Sequence, residues 1–485
     1  MRRVVDALLF GAAVIGLGSC GLSTTSPGGG GGGTVSAINV GPPAATLAPG
    51  ETLQLTAIAL DAIGNVLPGH AVTWTSDNTA IATVSSTGLV TGVALGGPVT
   101  VRATSGTVVG TSRITAAHLV FASVSVGPGH ICGLTTSGAA YCWGDNTAGQ
   151  MGIGMADTNT YPTPVAAVGP GGGASLIFAS LSANAGGFTC GRTVAGAAYC
   201  WGDNSYGQLG IGTPDLVPHP TPTQISLPGS LTFATIDIGG GFACAVASSG
   251  AAYCWGLNSY GQLGTGDTLW LAAPTAVGGT LTFSAVLPGN VYSCGIATGG
   301  AAWCWGRGKA GVLGNGVADT LAHPSPQAVS GGLSFTALSS GGLTACGLVG
   351  TAAYCWGRNA AGEIGNGTTV RATTPAAVSG GLTFSTVAAG AFISCGVAST
   401  GAAYCWGDNS VGEMGIGAAD LNAHTVPEAV SGGRTYRTIS TGRGGETCAV
   451  TTGGVLYCWG GNMRGELGDG TTAERDAPVK VLGQP

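Results

Sequence analysis

Charge is what this sequence has least of. Lysine and arginine number 15 and aspartate and glutamate 21, so charged side chains are only 7% of 485 residues, against about 25% in an average soluble domain. Long surface helices carry many Lys and Glu, so the scarcity argues for an all-β chain. A net charge of −6 leaves no basic surface for nucleic acid. No Gly-x-x-x-x-Gly-Lys phosphate loop is present. The six histidines (His70, His118, His130, His219, His323 and His424) share no metal-ligand spacing, and no Ser, His and acid arrangement stands out. These absences leave no expected cofactor, metal, catalytic residue or small-molecule substrate. What is abundant is glycine, 92 residues, with 23 prolines. Disorder does not follow, because 44% of residues are hydrophobic and mean hydropathy is +0.38.

The first twenty residues set an expected compartment. Arg2 and Arg3 precede an apolar run, Ala7 to Leu17, that is too short for a bilayer of ~30 Å. Its ending, Leu17-Gly18-Ser19-Cys20, resembles the bacterial lipoprotein signal, which implies cleavage after residue 19 and a lipid on Cys20. Asp6 and Gly18 depart from the usual pattern. Residues 20–35 then read as a Gly/Ser-rich tether. The expected location is the bacterial cell envelope, exported and lipid-anchored, with the outer membrane or cell surface open.

Residues 36–117 hold one Trp and no Cys. Alternating runs such as Leu53-Gln54-Leu55-Thr56-Ala57-Ile58 lie between turn clusters at Gly64-Asn65 and Pro68-Gly69, the pattern of short strands. The stretch from Val72-Thr73-Trp74 through Ala82-Thr83-Val84 to Thr87-Gly88-Leu89-Val90-Thr91-Gly92 resembles the bacterial Ig-like group 2 domain. That resemblance implies a β-sandwich with Trp74 in its core, acting as a spacer or adhesion module.

Residues 118–485 repeat seven times a unit of Cys, a short turn, aromatic-Cys-Trp-Gly, and Gly-x-apolar-Gly. The tryptophans are Trp143, Trp201, Trp255, Trp305, Trp356, Trp406 and Trp459, spaced by 58, 54, 50, 51, 50 and 53 residues. A period near 50 built from strands and turns has the size of a four-stranded propeller blade. The segment Tyr199-Cys200-Trp201-Gly202-Asp203-Asn204 through Gly207-Gln208-Leu209-Gly210 resembles the repeat of the regulator of chromosome condensation family, which implies a seven-bladed propeller. The fold expected of the whole is therefore all-β, a seven-bladed β-propeller behind an N-terminal Ig-like β-sandwich.

Cysteine spacing carries a geometric argument of its own. Six pairs are ten residues apart: Cys132 and Cys142, Cys190 and Cys200, Cys244 and Cys254, Cys294 and Cys304, Cys395 and Cys405, Cys448 and Cys458. Opposing them in a hairpin leaves a three-residue loop, which wants Gly at its end. Gly138, Gly196, Gly250, Gly300, Gly401 and Gly454 stand there. The seventh pair, Cys346 and Cys355, is one residue shorter and leaves a two-residue Gly350-Thr351 loop. Opposed strand residues lie within disulfide reach, so seven disulfides are expected, one within each blade. Setting Cys20 aside leaves an even fourteen cysteines, as an exported chain favours.

Two further expectations concern closure and function. No Pro-x-x-Val segment precedes the first hairpin, while an unmatched Pro478-Val479-Lys480-Val481 stands at the end. The expectation is that this last strand completes the first blade and closes the ring, removing an open edge. Members of the family exchange nucleotide on a small nuclear GTPase, inhibit β-lactamases, sense UV-B or scaffold ubiquitin ligases. An export signal conflicts with nuclear exchange, so the resemblance implies only recognition of a protein by loops on a rigid disc. Trp270 and Leu271 in a loop otherwise expected to face water, with Tyr206 and Tyr260 at equivalent places in neighbouring repeats, are the candidate partner contacts. The expected function is non-enzymatic binding of a macromolecule, most simply a protein. Glycan binding, or a hydrolase or lyase using the propeller axis, remains open, to be separated by whether acids or histidines converge there.

Overall fold

A computed structural model describes residues 34–484 apart from 48, 50, 51, 174, 184–186, 228 and 230. The signal segment, Cys20 and nearly all of the tether lie outside the described residues.

The Ig-like segment forms a four-stranded sheet of Ala44–Leu47, Val108–Ala116, Gly96–Ser105 and Thr73–Ser76, beside three- and two-stranded sheets. Its core gathers Ile38, Leu47, Leu55, Val90, Val101 and Ile114. Trp74 is half-buried and packs against this core.

Seven four-stranded antiparallel sheets follow, each built from four consecutive strands. The first blade is Phe121–Val126, His130–Thr135, Ala140–Asp145 and Thr160–Ala166; the seventh is Tyr436–Thr441, Glu446–Thr451, Leu456–Gly460 and Arg475–Lys480. First strands of successive blades touch one another all the way around, the seventh against the first, so they line the axis. Antiparallel order puts the loops after the first and third strands on one face, here the loop face. The turns after the second strand and the connections to the next blade make the opposite, turn face.

Each Trp explains two features of the repeat. All seven are fully buried. Trp201 Nε1–H donates to the Gln150 carbonyl of the preceding blade at 2.9 Å, and Trp255, Trp305, Trp356, Trp406 and Trp459 bond in the same way to Gln208, Gln262, Val312, Glu363 and Glu413. The closing glycine of each motif sits beneath that indole: a Cβ on Gly152 would lie 2.7 Å from Trp201 Nε1, and its φ is +72°. Glycine is required there twice over, by conformation and by space.

Ring closure differs from the sequence expectation. The strand Arg475–Lys480 pairs with Leu456–Gly460 of its own blade, Val479 opposite Cys458. Likewise Val165 lies opposite Cys142. The Pro-x-x-Val strand therefore follows its hairpin instead of preceding it, so the first blade is complete and the last strand belongs to the seventh. The ring is closed by the same packing that joins every other pair. Trp143 Nε1–H donates to Glu466 O at 2.6 Å, and Phe121 and Trp143 share a core with Cys448, Cys458, Leu467 and Val481. No strand exchange is needed, because burial of one Trp on the neighbouring blade already seals each edge.

Candidate functional site

The cysteines oppose one another in register, Cys132 with Cys142 and Cys346 with Cys355 among them. All seven pairs are disulfides with Cα separations of 4.0–4.1 Å. They are wholly buried and serve as walls of the blades, away from any site.

The loop after the third strand is organised by an asparagine in every blade but the fourth, which has Gly308 there. In six blades its Oδ1 accepts the N–H five residues on, as Leu263 N–H to Asn258 at 2.9 Å and Leu467 N–H to Asn462 at 2.9 Å. Its Nδ2 donates to the carbonyl nine residues on, as Asn409 to Ala418 at 2.7 Å. An aspartate, or a threonine in the fifth and seventh blades, then turns the tip of the loop by accepting the N–H two residues later, as Leu321 N–H to Asp319 at 3.0 Å. In three alternate blades a histidine four residues further along braces the same aspartate: His219 on Asp215 at 3.1 Å, His323 on Asp319 at 3.1 Å and His424 on Asp420 at 3.2 Å. For His424, burial lowers the pKa, but the hydrogen bonds to Glu428 and Asp420 outweigh it and the net direction is up.

This frame holds apolar side chains out in water. Leu216 is 87% exposed, Leu421 89%, Val370 70%, Leu269 66%, Leu321 65% and Trp270 53%. They occupy blades two to six on the loop face. On the turn face of the propeller the only comparable large hydrophobics among the described residues are Ile177 and Val194.

The four candidate contacts separate. Trp270 and Tyr206 meet edge to face, 5.0 Å apart at 89°, across two blades, and Trp270 Nε1–H donates to Ser259 Oγ at 3.2 Å. Leu271 is half-buried, packing inward on the core of its blade. Tyr260 lies beneath the Arg307 guanidinium, 4.5 Å from ring centroid to Cζ. Sequence reasoning missed the Asp–His braces, although Asp-x-x-x-His recurs in equivalent loops, and it missed the arginines that replace Asp after Trp-Gly at positions 307 and 358.

The axis holds little chemistry. Ser125, Ser182, Ser339 and Ser440 accept N–H groups of the next blade's first strand through their hydroxyls. In the third blade Asp237 takes that place, and its neighbour across the seam is Pro288, which has no N–H to give. Burial raises Asp237 to about 6 against its bonds from Ser182 and Ile238. Among the described residues of these strands no second carboxylate joins it.

A cleft of about 400 Å³ on the loop face, where the seventh blade meets the first, is lined by Asp145, Glu446, Glu466, Glu474, Arg464 and Met463 with backbone between them. Burial, then the Glu466 charge, pushes Glu446 up to about 8. Arg464 pairs with Asp145 at 2.8 Å. His130, at the position equivalent to Glu446 in the first blade, is held down to about 4 by burial. Further clefts between the sandwich and the first blade are lined mainly by Ala, Thr, Leu, Pro and Val.

A stapled, seven-bladed β-propeller with one elaborated face is thus the class of protein. Residues 195–246, 249–286 and 352–397 match the regulator of chromosome condensation (RCC1) repeat, and a second description of that repeat covers 121–150, 178–208, 233–262 and 384–413. Residues 34–116 match the bacterial Ig-like domain, group 2. The chain carries RCC1 repeats behind a bacterial Ig-like domain. It is similar to the E3 ubiquitin-protein ligase HERC2 of Mus musculus, 28% identical across 74% of this chain and 6% of that one. The ultraviolet-B receptor UVR8 of Arabidopsis thaliana is 30% identical over 30% of this chain and 31% of its own. The chain therefore spans less than a third of these curated relatives. In fold it resembles yeast RCC1 (Prp20) in its crystal structure with Kap60, at TM-score 0.61 and 20% identity, covering 75% of this chain and 85% of that one. Human WBSCR16 is similar at TM-score 0.59 and 19% identity, covering 69% and 87%.

Proposed function

We propose that the chain is an exported, lipid-anchored protein of the bacterial cell envelope that binds a protein partner through the loop face of its propeller and performs no chemistry itself. The observation that carries this reading is the apolar series Leu216, Leu269, Trp270, Leu321, Val370 and Leu421, held outward by hydrogen-bonded turns built on aspartate, or on Thr368 in the fifth blade. A side chain needed only for folding would not be braced into water. Seven disulfides and an Ig-like spacer suit an oxidising compartment. Among the described residues of the axial strands Asp237 is the lone carboxylate, which speaks against an axial hydrolase or lyase needing paired groups. Glycan stacking would want a flat, open aromatic, whereas Trp270 is packed edge-on to Tyr206.

The test is affinity capture from the envelope of the producing cell with the full chain and with a variant carrying Leu216→Ser, Leu269→Ser, Leu321→Ser and Leu421→Ser. The expected result is a specific protein lost from the variant. Identical capture by both chains overturns the loop face as the binding surface. The anchor is tested separately by metabolic palmitate labelling, expected in the wild type and absent in Cys20→Ala; equal labelling refutes it.

A further inference from the structure

The repeat pattern assigns a partner to the residue that follows Trp-Gly. In the first two blades that residue is Asp145 or Asp203, and the glutamine five residues on donates to it, Gln150 at 3.1 Å and Gln208 at 2.8 Å. The fifth blade reverses the charge and keeps the pair: Arg358 meets Glu363 at 3.2 Å. The fourth blade reverses the charge and loses the partner. Arg307 stands after Trp-Gly, but position 312, where Glu or Gln is needed, is valine. Its Nη1 reaches only Tyr260 Oη at 3.4 Å, and its Nε is buried with no hydrogen-bond acceptor among the described residues.

A second guanidinium shares this defect. Arg443, from the loop after the first strand of the seventh blade, extends across the mouth of the axis to the fourth blade and donates to Asn290 Oδ1 at 2.8 Å. Its Nε and Nη2 are buried without acceptors among the described residues. Arg307 N–H bonds the carbonyl of Val291, the next residue of that same loop, at 2.9 Å. Neither arginine makes an ion pair among the described residues, whereas Arg102, Arg358, Arg464 and Arg475 all do. Two half-buried arginines, each with a buried Nε that meets no acceptor among the described residues, bond to adjacent residues of one loop, Arg443 through its side chain and Arg307 through its backbone N–H, and exposed Lys309 follows Arg307 by two positions. Unmet charged donors in a buried place are costly unless an anion completes them.

The loops after the third strands of the first three blades contain aspartates and no lysine or arginine, while the fourth sets Arg307 and Lys309 against Asp319 and the fifth sets Arg358 and Arg371 against Glu363. The face is therefore electrically divided. Exposed apolar side chains flank this basic sector: Val317 and Leu321 of the fourth blade, Leu269 and Trp270 of the third, and Phe392, which lies under Arg358 at 4.2 Å. A small inorganic anion would leave those apolar groups in water. A polypeptide carrying both carboxylates and aliphatic side chains would cover both.

Resting on the protein-binding reading above, we infer that the Arg307–Arg443 sector of the loop face receives an acidic, aliphatic-rich segment of the partner, with a carboxylate seated on the two guanidinium groups in the mouth of the axis.

The probe is a labelled peptide of alternating Glu and Leu, followed by fluorescence anisotropy on the full chain, beside its Gln-Leu counterpart and a phosphoserine-Leu counterpart. The Glu-Leu peptide is expected to bind at least about tenfold more tightly than Gln-Leu, and to weaken as salt rises. Arg307→Gln and Arg443→Gln should each lower its affinity about tenfold, while the Gln-Leu peptide is unaffected. Lysine at either position should recover part of the loss, showing that charge and not folding is at issue. Equal binding of the Glu and Gln peptides, or unchanged binding by the double variant, overturns the proposal. A preference of more than about tenfold for phosphoserine overturns it in favour of a phosphate ligand. If the envelope partner is captured equally by wild type and by the Arg307→Gln/Arg443→Gln chain, the acidic-segment site is wrong and protein binding still stands. Retention by the leucine-tip variant instead counts against the loop face as a whole.

Discussion

The interior of the blades and the loops of one face obey opposite rules. Inside, the same parts recur seven times: an opposed cysteine pair, a Trp reaching back to the preceding blade, and a glycine under that Trp. Outside, the frame recurs, since Asn holds the loop in six blades and Asp or Thr turns its tip, but what the frame presents does not. It shows Leu216 in one blade, Trp270 in the next, Leu321, Val370 and Leu421 beyond. Repetition marks what the ring needs for stability. Variation on a repeated frame marks what it displays. Four sets of substitutions can break or sharpen that division.

The largest effect should come from Trp255→Ala. It removes a fully buried indole and leaves the Gln208 carbonyl without its donor, a loss of about 3–5 kcal/mol. Thermal or urea unfolding would read it, and a loss under about 1 kcal/mol would mean that the seams between blades are not the stabilising element.

Next comes a staple. Replacing Cys244 and Cys254 together by Ala frees a ten-residue spacing and should lower stability by about 2.5–3 kcal/mol on the chain-entropy account. Urea unfolding of the double variant should match wild type treated so that only this disulfide is reduced. If the variant is as stable as the oxidised parent, the staple adds nothing that blade packing does not already supply.

A smaller effect, with a sign fixed by pH, belongs to Glu446. Burial holds its carboxyl up to about 8 in the folded chain, against about 4.3 when unfolded. Its favourable protonated state is fully present below the unfolded value, and the stability it brings is lost as pH rises through about 8. Neighbouring His130, held down to about 4, acts in the other direction, losing its contribution as pH falls from about 6.5 towards 4. The thermal midpoint of Glu446→Gln should therefore fall less than that of the parent between pH 5 and 8.5. Parallel slopes would mean the carboxyl is charged throughout.

The smallest effect should be at the tips. Leu321→Ser and Leu421→Ser expose nothing new and should change stability by no more than about 0.5 kcal/mol. A larger loss would move these leucines from the displayed class to the structural one.

Most of the propeller was legible because its rules are local. Cysteine spacing and a glycine at the turn fix a hairpin, and the seven tryptophans count the blades. Closure was misread because Pro-x-x-Val carries no sign of which neighbour it pairs with. Only the register, Val479 opposite Cys458, shows that it follows its hairpin, and the bond from Trp143 to Glu466 that seals the ring links residues 323 apart. The site was half legible for a similar reason. Trp270 announced itself as an aromatic in a variable loop. The unpaired state of Arg307 depends on Val312 filling a place that other blades give to Gln or Glu, and Arg443 meets Asn290 across the axis, a juxtaposition that no window of sequence contains.

The most direct measurement of the division between frame and display is hydrogen–deuterium exchange on the full chain, free and with the captured partner or the Glu-Leu peptide bound. Protection is expected at residues 289–292, 306–322 and 442–446 and in the tips around 269 and 421, with no change at the opposite turns around 137, 249 and 453. Protection confined to those turns, or spread evenly over both faces, would contradict the account.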